Sequence, residues 1–384
     1  MFRIFLQNII VKTAFMRYGM LTLLKNIGCF RPEFTGEKDI LVAGVRIYKI
    51  TEPGALGRNP LIENIIDCRG MYAFPGFIDQ HVHITGAGGE RGFQSRTKEL
   101  EAAELFGAGI TTAAGLLGAD GTTRSMENLY AKAKALEAEG LTCLIYSGSY
   151  GIPPVTLTGG ILRDVVYIDK VIGAGEIAIS DLRSSCPGAA AVIKLAAEVH
   201  LGGLLAGKKG VVHLHVGDGK GGLSPLTEAL EQSDLPAEMF VPTHLNRNPA
   251  LFRQAVGYWK SGGYIDLTAG EKDGLPVPEA VRALAFEGAG LPRVTVSSDA
   301  GAGLPAGAAP ASALYDDFVE IIRQSLLPPE EAVRIFTENP AKALGIYPRK
   351  GALREGCDAD ILVTDKEYHL KMLFCMGKTV VNRT

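Results

Sequence analysis

Eight short β-rich runs punctuate the middle of the chain: Phe77–His83, Ile110–Leu116, Thr142–Ser149, Glu176–Ser180, Gly210–Val216, Met239–His244, Tyr264–Leu267 and Arg293–Ser298. Helical stretches separate many of them, at Arg96–Phe106, Ser125–Glu139, Gly188–Leu205, Pro249–Ser261 and Pro278–Ala289. A parallel strand reaches its neighbour only through a long crossover, normally a helix. Repeated strand–helix units in this number are the count of a (β/α)8 barrel. The fourth crossover, around Thr156–Val171, has the weakest pattern. A doubly wound sheet is the alternative, but no Gly-rich phosphate fingerprint follows a first strand.

The two ends of the chain read as strands without helices. Ile40–Ile47, Ala359–Thr364 and Met376–Val381 have strand character, with Glu52-Pro53-Gly54 as a turn signal. They predict one small β-sandwich domain built from 20–72 and 350–384, with the barrel occupying 73–349. Residues 1–19 carry Arg3, Lys12 and Arg17 and no acid, as a targeting peptide does. Lys12 interrupts the apolar run, however, and no small-residue cleavage site is clear. The segment reads as an extension without structural role or an upstream start, with a presequence or docking helix as the alternative.

Composition narrows the partners. A chain of 384 residues that is 47% apolar and 21% charged can bury a large core as a soluble protein. With a net charge of −3 and no basic stripe, nucleic acid is not an expected partner, and no membrane span fits. The six cysteines are scattered and form no CxxC, the usage of a cytoplasmic protein with reduced thiols, so zinc held by thiolates is not expected.

The strongest polar signals sit at the ends of the strand runs, where a barrel gathers its active-site loops. His81 and His83 lie two apart on one run, so their side chains share a face and can share one cation. A lone His-x-His is a weak signal. Here His213 and His215 close the fifth run, His244 the sixth and Asp299 the eighth, so five of the seven histidines fall at three strand ends. Imidazole and carboxylate together suit zinc and related divalent ions. Period two cannot choose between His213 and His215. His215 lies nearer the strand end, which favours it as the ligand and leaves His213 as a buried partner. His200 and His369 read as ordinary core or surface residues.

Pro75-Gly76-Phe77-Ile78-Asp79-Gln80-His81-Val82-His83, Pro242-Thr243-His244-Leu245-Asn246-Arg247-Asn248-Pro249 and Ser297-Ser298-Asp299 resemble the isoaspartyl dipeptidase family of amidohydrolases. The closing run Gly351–Asp360 is similar to that superfamily's return into its small β-domain, and the likeness spans the chain from about Met20. It implies a distorted barrel, two divalent metals that are usually zinc, and dipeptide substrates joined through an aspartyl β-carboxyl group. It also implies a large symmetric homo-oligomer, although no interface signature is visible.

Carried onto this sequence, the resemblance gives His81, His83 and Asp299 to one metal and His215 and His244 to the other. Many relatives bridge the metals with a carbamylated lysine on strand four; here Glu176 stands in its place. Glycines on either side of Ala174 and one apparent extra residue predict a bulge that brings Glu176 inward to bridge both ions. Two cations about 3.5–4 Å apart lower the pKa of a shared water. Asp299 is then the base that takes the water's proton and the acid that delivers it to the departing amine. Tyr150 resembles the family tyrosine that steadies the oxyanion. Arg183 and Arg247 match family positions for binding carboxylates, and Glu90 would pair with the substrate's ammonium. Three departures bear on selectivity. Ala119 replaces a common threonine, Gly303 an expected serine and Leu182 a common histidine. The second reading is a related amidohydrolase acting on another N-acyl amino acid or cyclic amide; a non-catalytic scaffold would have lost metal ligands, and all are present.

Overall fold

The expected strand Ile40–Ile47 is split at Gly44, whose φ of 58° lies in the left-handed region open to glycine. In the computed structural model, which describes residues 21–57, 59–288, 290–304 and 307–384, β1 (Leu21–Phe30), β2 (Phe34–Ala43) and β3 (Arg46–Thr51) form an antiparallel meander. The segment 1–19 lies outside the described residues. β4 (Ile62–Asp67) and β5 (Tyr72–Pro75) both pair with β1 in parallel. From the other end of the chain, β16 (Ile361–Thr364), β17 (Leu370–Cys375) and β18 (Lys378–Asn382) continue the same sheet through the β16–β5 pair. Met376 and Gly377, expected inside the last strand, instead turn the chain between β17 and β18. A Cβ on Gly377 would lie 1.9 Å from the Gly44 carbonyl oxygen, so the two ends meet backbone to backbone. Ile27, Ile40, Ile47, Ile361, Val363 and Phe374 share one apolar cluster, which closes this domain from both arms.

Gly76 carries the chain from β5 into the barrel. Its N–H donates to Asp360 O at 3.0 Å, and a Cβ there would strike the Thr111 side chain at 2.4 Å. The barrel strands are β6 (Phe77–Val82), β7 (Ile110–Gly115), β8 (Thr142–Ser147), β9 (Val171–Ile179), β10 (Val211–Val216), β11 (Phe240–Thr243), β12 (Ile265–Thr268) and β13 (Val294–Ser297). β6 to β11 make one parallel ladder, and β12 and β13 a separate parallel pair. Single hydrogen bonds close the gaps: Leu245 N to Asp266 O at 3.2 Å and His83 N to Ala300 O at 2.8 Å. The result is a distorted (β/α)8 barrel whose strands are buried on both faces, as helix-covered parallel strands must be.

Local chemistry sets the crossovers. The Ser125 hydroxyl caps Met126–Glu139 and Gly140 ends it at φ 115°; the Asn248 side chain accepts from Leu251 N at the start of Pro249–Lys260. The weak fourth crossover holds a short helix, Ile161–Tyr167, whose buried Asp164 accepts from Leu157 N, Thr158 N and Ser147 Oγ. Ala189–Ala206 is the one helix among the described residues long and apolar enough to cross a membrane. Val192, Leu195, Ala196 and Val199 on it are buried in the barrel's core cluster, which is the work of a crossover helix.

Two further expectations need correcting. The stretch Arg96–Phe106 is helical only over Ala102–Gly107. Residues 84–100 instead form a loop above the strand ends, where buried Arg124 donates to the carbonyls of Thr85, Ala87 and Thr97. The strand expected at Glu176–Ser180 begins five residues earlier, at Val171. Its first half is forced to be small: a Cβ on Gly173 would lie 1.8 Å from Val211 O. Gly173→Ala is therefore expected to destabilise the fold by about 3 kcal/mol, read as a lower urea midpoint.

Candidate metal centre

His81 on β6, His83 just past it and His215 near the end of β10 reach the barrel mouth. His81 and His83 both place Nε2 3.1 Å from Asp299 Oδ1, just past β13. His244, at φ 62° after β11, and Asp299, at φ 53°, both turn back over the barrel in left-handed conformations that non-glycine residues seldom adopt. The pairing of β9 with β10 slips by one residue: Val212 faces Ala174 while Leu214 faces Ile177. Gly175 and Glu176 therefore stand together opposite His213, the bulge that the glycines predicted. A Cβ on Gly175 would meet His213 Cβ at 2.9 Å, so the residue before Glu176 has little room for a side chain.

The bulge puts Glu176 at the centre. Its Oε1 lies 2.6 Å from His215 Nδ1 and 3.2 Å from His244 Nε2. Its Oε2 faces the other pair, 3.7 Å from His81 Nε2 and 3.9 Å from His83 Nε2. One oxygen thus addresses each pair of imidazoles. His213 is turned away from this cluster. Its Nε2 lies 2.8 Å from His81 Nδ1, and its ring stacks on Tyr146 with centroids 4.9 Å apart. Burial and the neighbouring His81 hold it well below the ordinary imidazole range, so it acts as a neutral prop behind His81.

Among the described residues, Glu176 Oε2, Asp299 Oδ1 and His81 Nε2 are buried without a hydrogen-bond partner. Lone pairs left converging in this way are costly unless a cation satisfies them. The converging carboxylates also show in the titration of the cluster, where a proton takes the place a cation would hold. Burial pushes His81 down, yet Glu176 and Asp299 outweigh it and lift it to about 9. Burial pushes the Asp299 and Glu176 carboxyls up, but the surrounding imidazoles hold both well below the usual carboxylate range. The donor set of histidine nitrogens and carboxylate oxygens fits divalent metals.

The other expected site residues surround this cluster. Tyr150 OH is 3.0 Å from His215 Nδ1, and the Arg183 guanidinium lies over the Tyr150 ring at 5.1 Å from its centroid. Arg183 Nη1 reaches Glu90 Oε1 at 3.2 Å. Arg247 is less engaged, 3.8 Å from Asp218 Oδ2. Gly118, before Ala119, abuts His83: a Cβ there would come 2.9 Å from its Cε1. Gly303 begins β14 (Gly303–Leu304), which pairs with β15 (Gly307–Ala308) as a small hairpin. A Cβ on Gly303 would lie 3.0 Å from Gly88 Cα, so glycine here admits the loop that carries Glu90. Leu182 is fully exposed.

Three contributors escaped the sequence reading. Asp266 on β12 is buried and accepts from Gln80 Nε2, Thr243 Oγ1 and Thr295 Oγ1, each at 2.7 Å, tying four barrel strands together. Asp181 touches both His215 and Arg183. An aspartate inside the apolar run Ile265-Asp266-Leu267 was the available signal; Asp181 and Arg124 gave none.

A crystal structure of a beta-aspartyl dipeptidase from Fervidobacterium islandicum AW-1 superposes with a TM-score of 0.89 and 40% identity, covering 94% of this chain and 97% of that one. The chain belongs to the beta-aspartyl dipeptidase family. Membership makes it a metal-dependent hydrolase of the amidohydrolase type. The same enzyme in complex with a beta-Asp-Leu dipeptide matches equally, at TM-score 0.89 over 95% of this chain and 97% of that one. Residues 277–380 match the Amidohydrolase family, a span that includes Asp299 and the return into the β-domain. A 43-residue stretch is 46% identical to the L-hydantoinase of Paenarthrobacter aurescens, spanning 11% of this chain and 9% of that protein's length. A dihydropyrimidinase from Brevibacillus agri shares the fold at TM-score 0.66 and 14% identity, over 94% of this chain and 95% of that one.

Proposed function

We propose that this protein hydrolyses β-aspartyl dipeptides at a two-metal centre bridged by Glu176. The observation that carries the reading is the division of labour in Glu176, with one carboxylate oxygen toward His215 and His244 and the other toward His81 and His83. A glutamate so placed supplies the anion that a carbamylated lysine provides elsewhere. Asp299 completes the His81/His83 side. Zinc is the expected metal. Two divalent cations held there would acidify water and polarise the scissile carbonyl.

The chain's own groups do the rest. Asp299 takes a proton from the attacking water as the C–O bond forms, then passes it to the nitrogen as the C–N bond breaks. Tyr150, whose hydroxyl lies 3.0 Å from His215 Nδ1, is the group that would steady the oxyanion. Arg183 and Arg247 take the substrate's carboxylates and Glu90 takes its ammonium. The six unpaired cysteines, five of them buried, support a reducing, cytoplasmic setting.

The second reading, hydrolysis of another N-acyl amino acid or a cyclic amide, draws on Ala119 and Gly303, which place no hydroxyl in the pocket. Metal analysis combined with assays on beta-Asp-Leu, an N-acyl amino acid and a hydantoin separates the two. Two metals with turnover of beta-Asp-Leu are expected; two metals with turnover confined to the other amides would replace the dipeptidase reading. Glu90→Gln is expected to raise KM for beta-Asp-Leu by about 10–100-fold, the worth of one charge-assisted contact, with a smaller change in kcat.

A further inference from the structure

The geometry assigns Asp181 as a positioning residue that holds the metal ligand His215 and the substrate arginine Arg183 from a single carboxylate. The assignment rests on the proposed dipeptidase reading for its substrate arm and on the metal centre alone for its other arm.

Asp181 follows β9 by two residues. Ser180, at φ 51°, reverses the chain, and the glycines after β10 leave room for it. A Cβ on Gly217 would lie 2.5 Å from Asp181 Cβ, and one on Gly219 would lie 2.4 Å from Ser180 O. The Asp181 side chain is 8% exposed and fully engaged. Its Oδ2 lies 2.9 Å from His215 Nε2 and 2.8 Å from Arg183 Nη2. Its Oδ1 accepts from Arg183 N at 2.8 Å and from Arg183 Nε at 3.0 Å.

Two consequences follow for the partners. Asp181 Oδ2, which shares His215 Nε2 with Arg183 Nη2 at 3.3 Å, accepts from the tautomer protonated on Nε2, and that tautomer is the one that would leave the Nδ1 lone pair, 2.6 Å from Glu176 Oε1, open to a metal held beside Glu176. Carboxylates behind metal-binding imidazoles fix ring orientation in this way and strengthen the ligand. Arg183, meanwhile, spends Nε and Nη2 on Asp181 and keeps Nη1 for Glu90 at 3.2 Å. The edge of the guanidinium offered to the pocket is therefore the edge Asp181 leaves over. Ligand and substrate anchor hang from one group, so disturbing it moves both.

An amide at this position keeps the shape but adds a donor that opposes His215 Nε2–H or Arg183. In Asp181→Asn, zinc titration of the full-length metal-free protein by chelator competition should show one of two sites weakened by about 10–100-fold. At saturating zinc, kcat should recover while KM for beta-Asp-Leu stays raised by about tenfold or more. Arg183→Gln should raise KM with both zinc affinities unchanged. If Asp181→Asn melts below the assay temperature, Asp181→Glu is measured in the same way. Wild-type affinity at both zinc sites in a folded Asp181 variant would overturn the assignment. Failure of the wild-type protein to cleave beta-Asp-Leu would remove the dipeptidase reading instead, and the zinc titration would still decide the role of Asp181 toward His215.

Discussion

Glu176→Ala is expected to leave a folded protein that no longer retains two divalent ions and whose kcat falls on the order of 10³-fold, several kcal/mol of lost electrostatic stabilisation. The four imidazoles around Glu176 would face one another with no central anion, and Asp299, beside His81 and His83, would be left as the remaining carboxylate of the centre. Metal content after dialysis, measured beside kcat, checks both halves. A companion measurement tests the bridge itself. Metal-free wild-type protein should regain full activity with zinc alone, because a glutamate needs no carbon dioxide to become a two-oxygen ligand. Recovery that required added bicarbonate would sink the glutamate bridge.

The second large effect lies at Asp299. Its Oδ1 sits 3.1 Å from both His81 and His83, and the imidazoles hold the carboxyl well below its usual range despite burial. It is thus ionised at neutral pH, the state a proton acceptor needs. Asp299→Asn keeps the volume and one oxygen but cannot carry a proton between water and leaving nitrogen. The expected loss in kcat is about 10²–10⁴-fold with little change in KM. The sign of the pH dependence follows from the depressed carboxyl. Activity should hold as pH falls through the ordinary carboxylate range and decline only below it, and the asparagine variant should lose that limb. A variant with nearly wild-type kcat would remove Asp299 from proton transfer.

The histidines were legible because strand geometry is simple: a period of two puts His81 with His83, and parallel barrel strands end on one face. Glu176 was legible through the resemblance, as the residue standing where relatives carry a lysine, and the glycines before it then pointed to the bulge. What the sequence hid was contact between loops. Asp181 meets His215 across 34 residues, and no local pattern encodes that meeting. The helix expected over Arg96–Phe106 is real at Leu105 and Phe106, yet the residues before 102 belong to the loop that Arg124 clamps. At Gly303 the sequence showed a missing hydroxyl but not the close approach to Gly88, whose Cα a Cβ there would meet at 3.0 Å. The run at Ile40–Ile47 is apolar enough for one strand, and a single glycine in it decided for two.

Arg183 and Glu90, the groups proposed to receive the substrate's opposite charges, hold each other at 3.2 Å. Substrate entry is on that reading an exchange of partners, in which one ion pair is given up and two are formed. A ligand carrying only a carboxylate would free Arg183 for itself yet strand Glu90, and one carrying only an ammonium would do the reverse. Neither recovers what it breaks. The pocket therefore screens for molecules that bring both charges at the right separation, and it does so before any bond to carbon is strained.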